Sequence, residues 1–262
     1  MNYFDDEMNI LEHFRLPFGH RIYIPQECQK CDELYSSLID EDKFCNWINS
    51  SGKADPPPDF YNQKTFMMMD IMRIDDHGYV NERGRYINPV NQRESKLQKE
   101  IRESELCSLF PNIQSVFVNA VTDLPTDEDH NFKFYFDNFK RTVEKHIESI
   151  PLYKKNHPGY NTVFFVFDES SGYVLAENEK QAKKGVKRGE MFYCQPYLHF
   201  LDKRFVEIFI NSEIDYLIWY SPYKHFESDM PEIPTICIYD VKKLALSDFK
   251  DYPLSLIMSI EE

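Results

Sequence analysis

The chain is short of glycine, with 8 among 262 residues. That scarcity excludes a glycine-rich phosphate loop, and neither a Walker-type nor a dinucleotide fingerprint occurs. No run of 18 apolar residues is present, so no transmembrane helix is expected. Cationic residues are in the minority: 30 Lys and Arg against 44 Asp and Glu give a formal net charge of −14. Non-specific affinity for nucleic acid is therefore disfavoured, because phosphate binding depends on clustered Lys and Arg. A nuclease with a local basic strip is still compatible with that charge, and an acidic face suits a basic protein partner. No His-x-x-x-His pair and no second Cys-x-x-Cys occurs. His77, His157, His199 and His225 are scattered, and order alone picks out no Ser/His/Asp or Cys/His arrangement. The segment Met1 to Glu7 is acidic and lacks the basic-then-apolar layout of a signal peptide. The expectation is a cytoplasmic protein with no membrane partner.

What is present is material for a core. Hydrophobic residues make up 42% of the chain and aromatics 15%, enough for a sizeable core, and 262 residues fit one large domain or two small ones. Cys28, Cys31, Cys45, Cys107, Cys194 and Cys237 are expected as thiols in that compartment. Cys28-x-x-Cys31, with His20 and Cys45 near in sequence, makes a zinc site conceivable, but half-buried structural thiols are the expectation.

Periodicity divides the chain into helices and strands. Arg21 to Ile24 reads as a short strand. Cys31, Leu34, Tyr35 and Leu38 fall at helical spacing, and a second turn or short helix is expected through Phe44, Trp47 and Ile48. Phe66 to Ile74 reads as a central strand, apolar on both faces. Residues 81–88 read as a polar hairpin or loop and 92–106 as a charged helix. Val116 to Val121 reads as a strand, and Phe132 to Ile150 as an amphipathic helix closed by Pro151. Further strands are expected at Thr162 to Phe167, Tyr216 to Tyr220 and Thr235 to Tyr239, with a helix at Lys203 to Asn211. The expected fold is a single α/β domain over 1–262, with a mixed, largely parallel central sheet flanked by helices. Residues 1–55 are expected as a helical subregion and 170–190 as a mobile insertion.

Asp70 is the anomaly in this pattern. It shares a strand face with Phe66, Met68, Met72 and Ile74. An ionised carboxylate there costs several kcal/mol, about, unless a cation, a proton or hydrogen bonds compensate it. Asp59 stands eleven positions earlier, after Pro58. Two acids so placed can share a divalent metal. Pro58-Asp59 followed by Asp70-x-Met72 resembles the PD-(D/E)XK nuclease superfamily over about forty residues of the chain. The resemblance implies a restriction-endonuclease-like core and a metal-dependent phosphodiesterase acting on nucleic acid. It implies Asp59 and Asp70 as ligands of Mg2+ and Glu33, on a preceding helix, as a third acid. The family's lysine position holds Met72, so Lys96 or Lys99 would have to supply that role. Without such a replacement the site is either inactive or not of this family. Magnesium prefers hard oxygen ligands and keeps waters, one of which becomes the nucleophile.

Other constellations compete. Asp168-Glu169 ends a buried strand, and Asp123 and Asp240 also fall at strand ends. In open parallel sheets ligands bind outside the carboxyl ends of the strands, so these acids define an alternative rim for a small phosphorylated ligand. The run from Lys180 to Gly189 holds Lys183, Lys184, Lys187 and Arg188, a strip suited to a phosphate backbone. Tyr173, Phe192 and Tyr193 flank it. A non-enzymatic reading, in which an acidic surface and exposed aromatics engage a protein partner, stands as the rival to both; the aromatic-rich turn after Tyr216 to Tyr220 suits a pocket or an interface, while Trp219, mid-strand, reads as core.

Overall fold

Apolar runs that alternate with a period of two build the centre of the protein, and a helix-period stripe covers it. The computed structural model describes residues 4, 6–16, 20–51, 57–80, 83, 86–103, 130–184, 193–224 and 233–260. Its elements begin with α1 (Glu7–Phe14), β1 (Ile22–Tyr23), α2 (Gln29–Ile39), α3 (Glu41–Phe44), β2 (Trp47–Asn49), β3 (Phe60–Asn62) and β4 (Met67–Ile74). They continue with β5 (Tyr79–Val80), β6 (Tyr86–Ile87), α4 (Pro89–Glu103), α5 (Phe132–Asn156), β7 (Asn161–Asp168), β8 (Tyr173–Ala176) and α6 (Glu179–Lys184). The last are β9 (Cys194–Pro196), α7 (Lys203–Phe209), β10 (Tyr216–Tyr220), β11 (Ile236–Asp240) and β12 (Ile257–Ser259).

Seven strands form the main sheet in the order β1-β11-β10-β7-β4-β3-β2. Its centre, β4-β7-β10, is parallel. The β2-β3-β4 meander on one side is antiparallel, as is the β10-β11 pair on the other, and β1 adds to β11 in parallel. The fold is thus α/β with a mixed sheet, as the alternation of strands and helices predicts. Parallel neighbours need a crossover: α5 lies in the one from β4 to β7, and α7 in the one from β7 to β10.

The period of two sorts side chains to two faces. Met68, Met72, Phe164, Val166, Leu217 and Trp219 enter the cluster under α5 and α7. Met67, Met69, Phe165, Phe167, Ile218 and Tyr220 enter the cluster under α1 and α2. Each fully buried side chain of this size contributes roughly 1.5–3 kcal/mol. Helix α5 starts where the Asn131 side chain accepts from the backbone N–H groups of Lys133 (2.9 Å) and Phe134 (3.3 Å), an N-cap. Its buried stripe runs Tyr135, Phe139, Val143, Ile150 and Tyr153.

Several expectations are corrected. Pro151 does not close α5, which runs on to Asn156. Packing of Ile150 and Tyr153 against the sheet outweighs the hydrogen bond that proline removes. Trp47 to Asn49 is a strand paired with β3, because Trp47 is drawn under α2, where its Nε1 donates to Ser37 Oγ at 3.2 Å. Residues 1–55 are not a separate helical subregion, since β1 and β2 sit at opposite edges of the main sheet. The start of the expected insertion is structural: Ser170, Ser171 and Tyr173 are buried, and β8 pairs with β9 and β12 in a second sheet. Phe66 lies outside β4, at a φ of 52° and 58% exposed, in the turn that leads into it. The expected strand at 116–121, with Asp123, and the stretch 185–190, with Lys187 and Arg188, lie outside the described residues.

Replacing Pro151 by alanine restores a donor to the Ile147 carbonyl. The expected outcome is a gain of about 1–3 kcal/mol, the part of the proline penalty still carried by the helix. Urea denaturation of the two proteins checks it; a loss of stability would show that the proline is built into the packing.

Candidate functional site

The register of β3 and β4 brings Asp59 and Asp70 together. Phe60 faces Met69 and Tyr61 faces Met68, so one step further out Asp59 faces Asp70. Their carboxyl groups are in hydrogen-bonding reach of each other. Asp59 is held from both sides. Its carbonyl accepts from the Ser50 backbone N–H at 2.7 Å, and its Oδ2 accepts from the Ile71 N–H at 2.8 Å. Asp70 turns to α5, where His146 Nδ1 contacts its Oδ2 and the Tyr153 hydroxyl donates to the same oxygen at 2.7 Å. Asp59 and His146 are half-buried, with 23% of the His146 side chain exposed. Like charges directly opposite on a sheet repel. Burial first, then the Asp70 charge and the shared hydrogen bond, push the Asp59 carboxyl up to about 8 against the pull of the Ile71 N–H. Without a cation the pair therefore keeps a proton near neutral pH.

The other residues expected at this site do not join it. Glu33 lies on α2, which packs on the opposite face of the sheet from Asp70, and accepts from Gln29 at 2.9 Å. Lys96 on α4 is exposed and pairs at 4.0 Å with Glu100, one helical turn on. Met72 is buried in the core under α5. Lys183 and Lys184 stand exposed on α6, which packs on β8 of the small sheet. Sequence reasoning missed His146 and Tyr153. Both occupy the apolar stripe of α5, where a lone histidine is the one available signal.

The strand-end acids do not form one rim. Asp240 faces Tyr216, at the amino end of β10, because β11 is antiparallel. It accepts from Cys28 Sγ at 3.4 Å and pairs with Lys243 at 3.0 Å. Glu169 pairs with Arg73 at 2.6 Å. Asp168 is fully buried and saturated. It accepts from Tyr135 OH (2.6 Å), Trp219 Nε1 (2.9 Å), Ser170 N–H (3.0 Å) and Ser221 Oγ (3.3 Å). The Lys224 ammonium lies 3.4 Å away, also buried, and donates to the Ser171 carbonyl at 3.0 Å. Burial lowers the Lys224 pKa, while the Asp168 and Asp76 charges oppose that shift. This is a strut between β7 and the segment after β10. The cysteine reading fares similarly: Cys45 Sγ donates to the Asp42 carbonyl and His20 Nε2 meets the Phe14 carbonyl. Burial, then Cys28, raise the Cys31 thiol pKa strongly.

A second constellation stands just past β4. Asp76 is buried, and its Oδ2 accepts from Ser171 N–H (3.1 Å), Ser171 Oγ (2.7 Å) and Tyr173 OH (2.7 Å). Its Oδ1 faces His130 Nδ1 at 3.3 Å and His77 Nε2 at 4.0 Å. Burial of Asp76 favours the neutral acid, but the two imidazoles and the Tyr173 hydroxyl outweigh it and hold the carboxyl at about 2. His130 is brought there because Asn131, its neighbour, donates its N–H to the Asp76 carbonyl at 3.1 Å. Asp75 is held separately by the amides of Asn88 (2.8 Å) and Asn138 (3.1 Å).

Comparison with protein-family models, with curated proteins and with solved structures gives no match to this chain.

Two measurements follow from this geometry. Folded Asp59 binds a proton up to about pH 8, whereas the unfolded carboxyl loses it near 4. The unfolded state then binds fewer protons between these values, so stability falls as pH rises from about 4 to about 8. Denaturation in chelator at pH 5.5 and pH 8 should show that fall in the wild type and a smaller one in Asp59→Asn; equal slopes would refute it. Asp168→Asn leaves the Lys224 ammonium buried without its counter-charge. The expected loss is about 3–5 kcal/mol, and Lys224→Met in the same chain should recover part of it.

Proposed function

We propose that the protein is a divalent-metal-dependent phosphodiesterase of nuclease type, with Asp59 and Asp70 at its centre. The observation that carries this reading is the facing pair of carboxyls, held within hydrogen-bonding reach at the edge of the β3-β4 pair. The donor set fits a hard cation: two carboxylates whose mutual repulsion a divalent ion relieves better than a shared proton does. Asp59 and Asp70 would hold Mg2+. When bound, it would lower the pKa of a water and stabilise charge on the phosphoryl oxygens.

The chain's own residues do the rest. Ile71 N–H and Ser50 fix Asp59, and Tyr153 fixes Asp70. His146 takes over what the missing lysine does in the family the sequence resembles. With Nδ1 directed at Asp70, the favoured tautomer carries its proton on Nδ1 and leaves Nε2 as the acceptor. That nitrogen can take a proton from the attacking water, the role of a general base. The phosphodiester class follows from the sequence resemblance and from the hardness of the oxygen donors. Lys183 and Lys184 are retained as candidate contacts for the phosphate backbone of a nucleic acid.

The test is hydrolysis of single- and double-stranded DNA and RNA in Mg2+ or Mn2+. Asp59→Asn and Asp70→Asn should each abolish cleavage while circular dichroism stays unchanged. His146→Ala should lower kcat by roughly 10²–10⁴. Metal-dependent cleavage that survives Asp70→Asn would remove the assignment.

A further inference from the structure

We infer that Asp76, His77 and His130 form a second metal site, separate from the Asp59–Asp70 pair, for a borderline divalent ion of the Zn2+ class. Among the described residues this is the one group of three His, Cys, Asp or Glu side chains whose ligand atoms all lie within 4.8 Å of one another. The donor set is two imidazole nitrogens and one carboxylate oxygen, which suits zinc and its transition-metal neighbours rather than magnesium.

The distances are close to what an ion requires. Ligands about 2.1 Å from a tetrahedral zinc lie roughly 3.3–3.5 Å from one another. Asp76 Oδ1 and His130 Nδ1 already stand 3.3 Å apart, and His77 Nε2, at 4.0 Å from the same oxygen, has to close by about half an ångström. The imidazole rings lie 4.7 Å apart at 61° to each other, a spacing at which both can address one point.

The second oxygen of the carboxylate is an independent observation. In metal sites, ligating carboxylates are hydrogen-bonded by outer groups that fix their orientation. Asp76 Oδ2 takes three such bonds, from Ser171 N–H, Ser171 Oγ and Tyr173 OH. The hydroxyl and backbone donors thus meet one oxygen of Asp76, and both imidazoles meet the other. Three protein ligands leave a coordination position open, the arrangement of catalytic rather than structural zinc. The group also lies beyond the carboxyl ends of β4 and β7, where open α/β sheets bind their ligands.

The experiment is equilibrium dialysis of the full chain against Zn2+, with bound metal measured by mass spectrometry. The wild type should retain one equivalent that His77→Ala and His130→Ala each lose. Tyr173→Phe, which removes one outer donor, should weaken binding by roughly ten- to a hundredfold. The single variants Cys28→Ser and Asp59→Asn should each keep the zinc, which excludes the thiols and separates this site from the proposed hydrolytic pair. Co2+ substitution should give d–d bands without thiolate charge transfer. No retained zinc in the wild type, or full retention in either folded histidine variant, would overturn the site. If one histidine variant fails to fold, the other and the cobalt spectrum decide.

Discussion

The architecture depends on one constraint: every carboxylate placed in or at the end of the parallel centre has to be matched by a donor or a cation. Asp168 shows how far that goes. It closes β7 with no exposed surface and gathers a tyrosine, a tryptophan, two serines and a lysine. Those partners come from α5, from β10 and from the segments that follow β7 and β10. The bonds therefore fix elements that hydrophobic packing alone would let slide. A buried ion pair of this kind is weak support for stability by itself, since desolvation offsets much of its attraction. Its effect is on specificity: another register of β7 would leave both Asp168 and Lys224 without partners.

Helix α5 applies the same rule along its length. Four polar side chains on its sheet side each meet an acid: Tyr135 meets Asp168, Asn138 meets Asp75, and His146 and Tyr153 meet Asp70. The residue before its first turn donates to the Asp76 carbonyl. One helix thus sets the position of both candidate metal groups. It also explains why the helix continues past Pro151. Ending it there would withdraw Tyr153 from Asp70, an acid that lies in the core face of β4.

This dependence decides what could be read from the sequence. The strands at Met67–Ile74, Asn161–Asp168 and Tyr216–Tyr220 were legible because a period of two on both faces has few other outcomes. So was the anomaly of Asp70, because an acid amid methionines must be compensated. Its partner Asp59 was legible through the spacing of the Pro-Asp motif. The helix-side partners were not. His146 lies 76 positions from Asp70, and nothing local marks which histidine of a helix will face which strand. At Trp47 to Asn49 three residues show no period, and their strand state comes from pairing with β3. The strand-end rim failed at Asp240 for a topological reason: a strand's direction in the sheet is not written in its own residues.

The two metal readings differ in chemistry in a way that keeps them apart. At Asp59 and Asp70 the difficulty is excess negative charge, and a hard cation relieves it through oxygen. At Asp76 the carboxylate is held through one oxygen by Ser171 and Tyr173, and its other oxygen faces two imidazoles, nitrogen donors that softer ions prefer. Magnesium is matched to the first group and not to the second, whereas zinc has nitrogen donors only at the second. What joins them is β4: Asp70 lies within it and Asp76 just beyond its end, so a change in the seating of α5 on that strand would reach both.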